Sequence, residues 1–197
     1  MQNNVRKQTK PDYPMQSSLA LWIVRAPWLI ILMLSNTFTS MILSGYEGKL
    51  SALRDGALLY AFIPMIMGTS GNAGGQASVT VIRALALKQV STKNVFKVLL
   101  KEISVALLIG FSLSVICFLK LVFIDSLYAG AITQRVAFVI SFVLFIAIIV
   151  AKAVGCTLPL FAKLINLDPA VVASPFTTTI VDALSLIIYC SLSVALL

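Results

Sequence analysis

Windowed along the chain, apolar positions gather into five long runs: about Trp22 to Leu43, Gly56 to Ala77, Val98 to Val122, Val136 to Phe161, and Ala170 to Leu197. A bilayer core about 30 Å thick takes about 20 helical residues to cross, so every run is long enough to span it. The pattern predicts an all-α membrane protein with five transmembrane helices, a short polar segment over residues 1–21, and a helical domain over residues 22–197. The second and fifth runs are unusually polar for spans. The expected connections are Ser44 to Asp55, a basic loop from Arg83 to Lys97, a turn from Asp125 to Arg135, and a turn from Lys163 to Asp168. There is no repeat of solenoid period and no low-complexity tract.

Composition narrows the class. With 59% apolar and 11% charged residues and no histidine, the chain departs from every soluble class. Five crossings consume about 100 to 120 residues, which leaves no room for a separate catalytic domain. The net charge of +8 would point to nucleic acid in a soluble protein. Here the cations sit between apolar runs, so lipid headgroups and loop orientation explain them, and no nucleic-acid partner is expected. With the amino terminus in the cytoplasm, that side collects Arg6, Lys7, Lys10, Arg25, Arg83, Lys88, Lys93, Lys97, Lys101 and Lys163. The other side holds Lys49, Arg54, Lys120 and Arg135. The bias places the amino terminus inside and Leu197 outside. Trp22 and Trp28 flank the cytoplasmic end of the first span, and Tyr46 is expected to mark its far end. The first run is too long for a signal peptide and lacks a small-residue cleavage site, so it stays attached. Cys117, Cys156 and Cys190 are widely spaced inside apolar runs and read as small buried residues.

Two runs carry chemistry. The second holds Pro64, Gly68, Gly71, Asn72, Gly74, Gly75 and Gln76. At about 100° per residue, Pro64, Gly68, Gly71 and Gly75 fall on one narrow stripe with Asn72 beside it. One reading is close helix packing, for which Gly71 and Gly75 have the small-xxx-small spacing. The other is a watery path lined by exposed backbone carbonyls, including the Tyr60 carbonyl that Pro64 leaves without its helical donor. The amides of Asn72 and Gln76 favour the second.

In the fifth run, Asp168 precedes Pro169, the arrangement of a helix start. Asp182 lies fourteen residues further, about 21 Å along the axis and so near the bilayer midplane. A central Asp costs about 2.5 to 3.5 kcal/mol to insert, and such residues face a bundle interior or a watery cavity. Pro175, Thr178, Thr179, Ser185 and Tyr189 lie within about 60° of it on the helical wheel. A structural role for Asp182, with Lys152 as its competing partner, accounts for neither the hydroxyl stripe nor the glycine and amide stripe. Together they read as a cation pathway.

Without histidine or clustered cysteine, the usual Zn, Cu and Fe sites are excluded. Carboxylate, amide, hydroxyl and carbonyl oxygens suit Mg²⁺, and admit Ca²⁺ or Mn²⁺. One Asp182 supplies half the charge of a divalent ion, and a two-fold homodimer would supply the rest. Competing readings are an ion-coupled cation carrier, a structural helical subunit of a larger complex, and an intramembrane aspartyl hydrolase. The last needs two acids at close range, and Asp168 and Asp182 are about 21 Å apart on one helix. Glu102, beside Lys101, is expected to form an interfacial ion pair rather than a metal site.

The runs FIPMIMGTSGNAGGQASVTVIRALAL, KVLLKEISVALLIGFSLS and DPAVVASPFTTTIVDALSLIIY resemble the membrane domain of the MgtE family of bacterial magnesium channels, which is related to eukaryotic solute-carrier magnesium transporters. The resemblance covers about Arg25 to Leu197 and rests on the motifs GTSGNAGGQ and DPAVVASP…D. It implies a homodimer in the cell (inner) membrane and a Mg²⁺-selective pore lined by the second and fifth helices. It implies a selectivity carboxylate at Asp182 and pore positions at Gly68, Gly71 and Asn72. Where relatives often carry Asn before the proline, this chain has Ser174, a hydroxyl in place of an amide. With Thr178 and Thr179 these complete the expected site. The family's cytoplasmic amino-terminal and paired CBS domains have no counterpart in these 197 residues, so weak feedback closure by cytosolic Mg²⁺ is expected.

Overall fold

The structure is a computed structural model that describes residues 17–91, 94–130 and 132–197, apart from the side chains of 128–129 and 170–175. Arg6, Lys7, Lys10 and Lys93, and the side chains of Ser174 and Pro175, therefore lie outside the described residues. The described residues are all-helical, with five long helices and one short turn of helix: α1 (Ser18–Ser51), α2 (Gly56–Ala86), α3 (Val95–Lys120), α4 (Ser126–Ala129), α5 (Gln134–Leu164) and α6 (Pro169–Leu196). A π-helical turn, Leu121–Asp125, joins α3 to α4.

Among the described residues, four helical segments are long and apolar enough to cross a membrane: α1, Val95–Asp125, α5, and Phe176–Leu196 within α6. Their mean hydropathies run from 1.8 to 2.8. The 31-residue α2 has the length but not the hydropathy, because the glycines and amides that mark it in the sequence replace the aliphatic side chains of an ordinary span. Four such segments among the described residues make this a multi-pass membrane protein.

Helix ends follow local chemistry. Thr133 caps α5, its hydroxyl accepting from the Val136 amide at 3.4 Å. After α5, Asn166 takes a left-handed conformation (φ 60°) that reverses the chain. Pro169 opens α6 at the first helical position, as expected from its place after Asp168. Two expected connections are corrected. The segment from Ser44 is not a loop but the end of α1, because Leu50 is fully buried and the Tyr46 hydroxyl bonds that of Ser191 at 2.6 Å. Tyr46 is thus tied to α6 near the end of α1. The basic loop is also shorter than expected, since α2 continues to Ala86 and α3 begins at Val95.

The chain divides into two compact units, Met1–Ser35 and Asn36–Leu197. In the first, Leu19, Trp22, Ile23, Val24 and Leu29 are exposed, as befits a surface solvated by hydrocarbon. In the second, α5 is the centre: Val136, Ile140, Val143, Ala147 and Ile148 are buried beneath neighbouring helices. Leu59, Phe62 and Ile66 of α2 cluster with Val136, Ile140 and Val143 of α5, while the later Ala77 and Val81 cluster with the later Cys156 and Leu160, so these helices run parallel. Tyr189 and Ser185 of α6 bond Leu59 and Ser70 of α2 in opposite order, so those two run antiparallel.

Tyr189 is fully buried and donates to the Leu59 carbonyl at 2.7 Å. Tyr189→Phe keeps the ring and removes the donor, which costs about 1 kcal/mol and lowers the melting temperature by about 2–4 °C. Thermal unfolding of the purified variant measures this. An unchanged melting temperature would deny the bond any part in joining α6 to α2.

Candidate functional site

The site is built where α6 crosses α2. Ser70 donates its one hydroxyl proton to the Ile66 carbonyl at 2.8 Å. Of the two hydroxyls in the Ser70–Ser185 contact at 2.7 Å, Ser185 is therefore the donor. Both serines are buried, and their bond pins the helices one turn from Asp182. At that level Gly71 meets the carboxylate: a Cβ added to Gly71 would stand 3.5 Å from Asp182 Oδ1. A larger side chain at position 71 would cover the acid.

On the open side of this contact lies a groove of about 950 Å³. It is lined by Met67, Gly68, Gly71, Asn72, Gly75, Gln76, Val79 and Thr80 of α2, and by Thr178 and Asp182 of α6. Nothing stands within 4 Å of where a Cβ would sit on Gly68 or Gly75, so backbone forms that part of the wall. Asn72 and Gln76 are exposed along it and Asp182 is half-buried. Thr80 continues the polar row, its hydroxyl donating to the Gln76 carbonyl at 2.8 Å.

Of the residues singled out in the sequence, the structure brings Gly68, Gly71, Asn72, Thr178 and Asp182 to one surface. Thr179 is half-buried and outside the groove lining, and the side chain of Ser174 lies outside the described residues. Three readings are corrected. The hydroxyl stripe is not continuous, because Ser185 and Tyr189 are turned into α2 as inter-helix bonds. Pro64 is exposed but is not among the residues that line the groove. Within the chain, close helix packing falls not to Gly71 and Gly75 but to Gly74, whose added Cβ would lie 2.9 Å from the Ala151 carbonyl oxygen. Its partner, Gly155, went unremarked in the sequence. The signal was there, since Ala151 and Gly155 have small-xxx-small spacing on α5.

The charges also sort differently. Lys152 does not compete for Asp182: its Nζ lies 3.0 Å from Glu102 Oε2, with side-chain exposures of 5% and 12%. Glu102 therefore pairs across the bundle with α5 rather than at an interface with Lys101. A second ion pair joins Lys120 to Asp125 at 2.6 Å. Asp182 belongs to neither. Nor do the described residues hold any group of three or more Cys, Asp or Glu that would cage a metal ion.

A family model described as a divalent cation transporter, MgtE, matches residues 63–192. The chain belongs to the MgtE family. It is 35% identical over 189 residues to the magnesium transporter MgtE of Thermus thermophilus, covering 95% of this chain and 40% of the relative. It is 29% identical over 171 residues to that of Bacillus subtilis (87% and 36%), and 32% identical over 165 residues to that of Enterococcus faecalis (84% and 34%). The chain thus spans about 40% or less of the length of these MgtE relatives. All three are named as transporters, not enzymes. The MgtE match takes in both walls of the groove, from Met67 on α2 to Asp182 on α6.

Proposed function

We propose that this chain conducts hydrated Mg²⁺, and that the groove is one half of a pore completed by a second copy. The observation that supports this most is Asp182, an acid on a membrane helix that opens into a glycine- and amide-lined groove and is paired with no cation among the described residues. An acid this costly to place inside a membrane needs a mobile counter-charge. Mg²⁺ gives up its six waters reluctantly, and six waters at about 30 Å³ each require about 180 Å³. The groove, at about 950 Å³, holds the ion with its shell intact. Asp182 supplies charge, Asn72 and Thr178 offer oxygens to bound water, and Gly68 and Gly71 keep the wall low.

One carboxylate balances half of a divalent charge, so a two-fold axis beside the groove, with Asp182 from each copy facing it, completes the site. In this reading the ion is cargo held through its hydration shell. The absence of a protein cage among the described residues suits an ion that must also leave. The same oxygens admit Ca²⁺ and Mn²⁺ less favourably. The amino terminus faces the cytoplasm and flux is inward. The magnesium transporters to which the chain is similar support the choice of ion.

A divalent ion gains about 4.6 kcal/mol from 100 mV, enough for about 10³-fold accumulation. Proteoliposomes holding the chain should therefore take up Mg²⁺ without ATP when an inside-negative potential is imposed, faster as the potential grows. Uptake indifferent to potential, or dependent on ATP, overturns passive conduction.

A further inference from the structure

The buried Lys152–Glu102 pair has no place in the groove, yet it sits where the groove's outer wall is braced. α3 meets α5 at two levels in opposite chain order. Glu102 meets Lys152, and Gly110 meets Phe145, whose Cδ2 would lie 3.1 Å from an added Cβ. On the same turn of α5 as Lys152, Ala151 and Gly155 face α2. A Cβ on Gly74 would stand 2.9 Å from the Ala151 carbonyl oxygen, and a Cβ on Gly155 would run into the Gly74 backbone. One turn along α2 from Gly74, Gly71 borders Asp182. Backbone seated on backbone has no flexible side chain to absorb a shift, so movement of α5 carries α2 with it.

Buried ion pairs add little net stability, since apolar residues of similar volume often serve as well, and their best-attested use is to fix register. We infer that Lys152 and Glu102 are positioning residues: their ion pair sets the height and rotation of α5, and through the Gly155–Gly74 seat the distance between the glycine wall of α2 and Asp182. The inference rests on the groove being the ion path. It makes the affinity of the groove for Mg²⁺ depend on two charges that never touch the ion.

The test is Mg²⁺ uptake by the full chain in proteoliposomes over a range of Mg²⁺ concentrations. The variants are Glu102→Gln, Lys152→Met, the neutral double Glu102→Gln with Lys152→Met, and the exchanged double Glu102→Lys with Lys152→Glu. Asp182→Asn serves as reference. The neutral double leaves no unpaired buried ion and so remains folded even where a single variant does not. Its half-saturating Mg²⁺ concentration should rise about tenfold, and the exchanged pair should return it to within about threefold of the parent. A neutral double that transports with the parent's half-saturation and maximal rate, while Asp182→Asn abolishes uptake, reduces the pair to scaffolding and overturns the inference alone. Undiminished uptake in Asp182→Asn overturns the pore reading and this inference with it.

Discussion

Replacing Asp182 by asparagine should lower Mg²⁺ uptake by about 10²-fold or more while leaving the protein folded. The substitution keeps shape and removes only charge. At an effective dielectric between that of water and of a protein surface, a carboxylate about 5 Å from a divalent ion contributes about 3 kcal/mol, which is about 10²-fold in occupancy. In a pore with two copies of the acid the loss is counted twice. Folding has no matching debt, because neither Asp182 nor any cation among the described residues depends on the other as an ion-pair partner. Exchanging an ionised group in the middle of a span for a neutral amide relieves part of its insertion cost of about 2.5 to 3.5 kcal/mol. The variant should therefore elute as the parent does in size-exclusion chromatography and melt no lower, while radiotracer or dye-reported uptake collapses. Selective uptake retained at the parent's rate would show that the acid is not the site at which the ion is recognised.

The separation of flux from folding at Asp182 reflects what the sequence displays and what it conceals. An acid in the middle of an apolar run, and glycines interrupting another, violate the rule for lipid-facing helices, and such violations are visible one helix at a time. That is why Gly68, Gly71, Asn72, Thr178 and Asp182 are legible as one surface and the groove assembles them. A helical wheel carries no information about which neighbour covers which angle. Ser185 and Tyr189 share the face of Asp182, but α2 crosses over them and takes their hydroxyls. Gly74 and Gly75 are adjacent in sequence, yet one is pressed against α5 and the other faces open space. The partner of Lys152 is fifty residues away, and nothing in either segment singles out Glu102 over Asp182. Helices outrun the apolar runs for a related reason: hydropathy falls where a helix leaves the apolar core, but backbone hydrogen bonding continues through Leu50 because that side chain is buried.

The contrast between two glycines gives the largest expected change in stability. A methyl group on Gly155 meets the Gly74 carbonyl oxygen, carbonyl carbon and Cα, the last at 3.0 Å, and none of these can rotate away. Gly155→Ala must therefore push α5 and α2 apart along a seam that also holds Ala77, Val81, Cys156 and Leu160. Overpacking of this kind costs about 1–3 kcal/mol when side chains can adjust, and more when both surfaces are backbone. At about 2–4 °C per kcal/mol, Gly155→Ala should melt about 6–12 °C below the parent. Gly75→Ala is the matched control. Its methyl group enters the open groove, meets nothing within 4 Å, and trades glycine for a better helix former by about 1 kcal/mol. The control should melt at or above the parent temperature while narrowing the space beside Asn72. Two substitutions of identical chemistry thus act on different faces of α2, one on assembly and one on the path. Equal melting temperatures for the pair would mean that α2 and α5 are not in backbone contact, and the wall opposite Asp182 would then lack its brace.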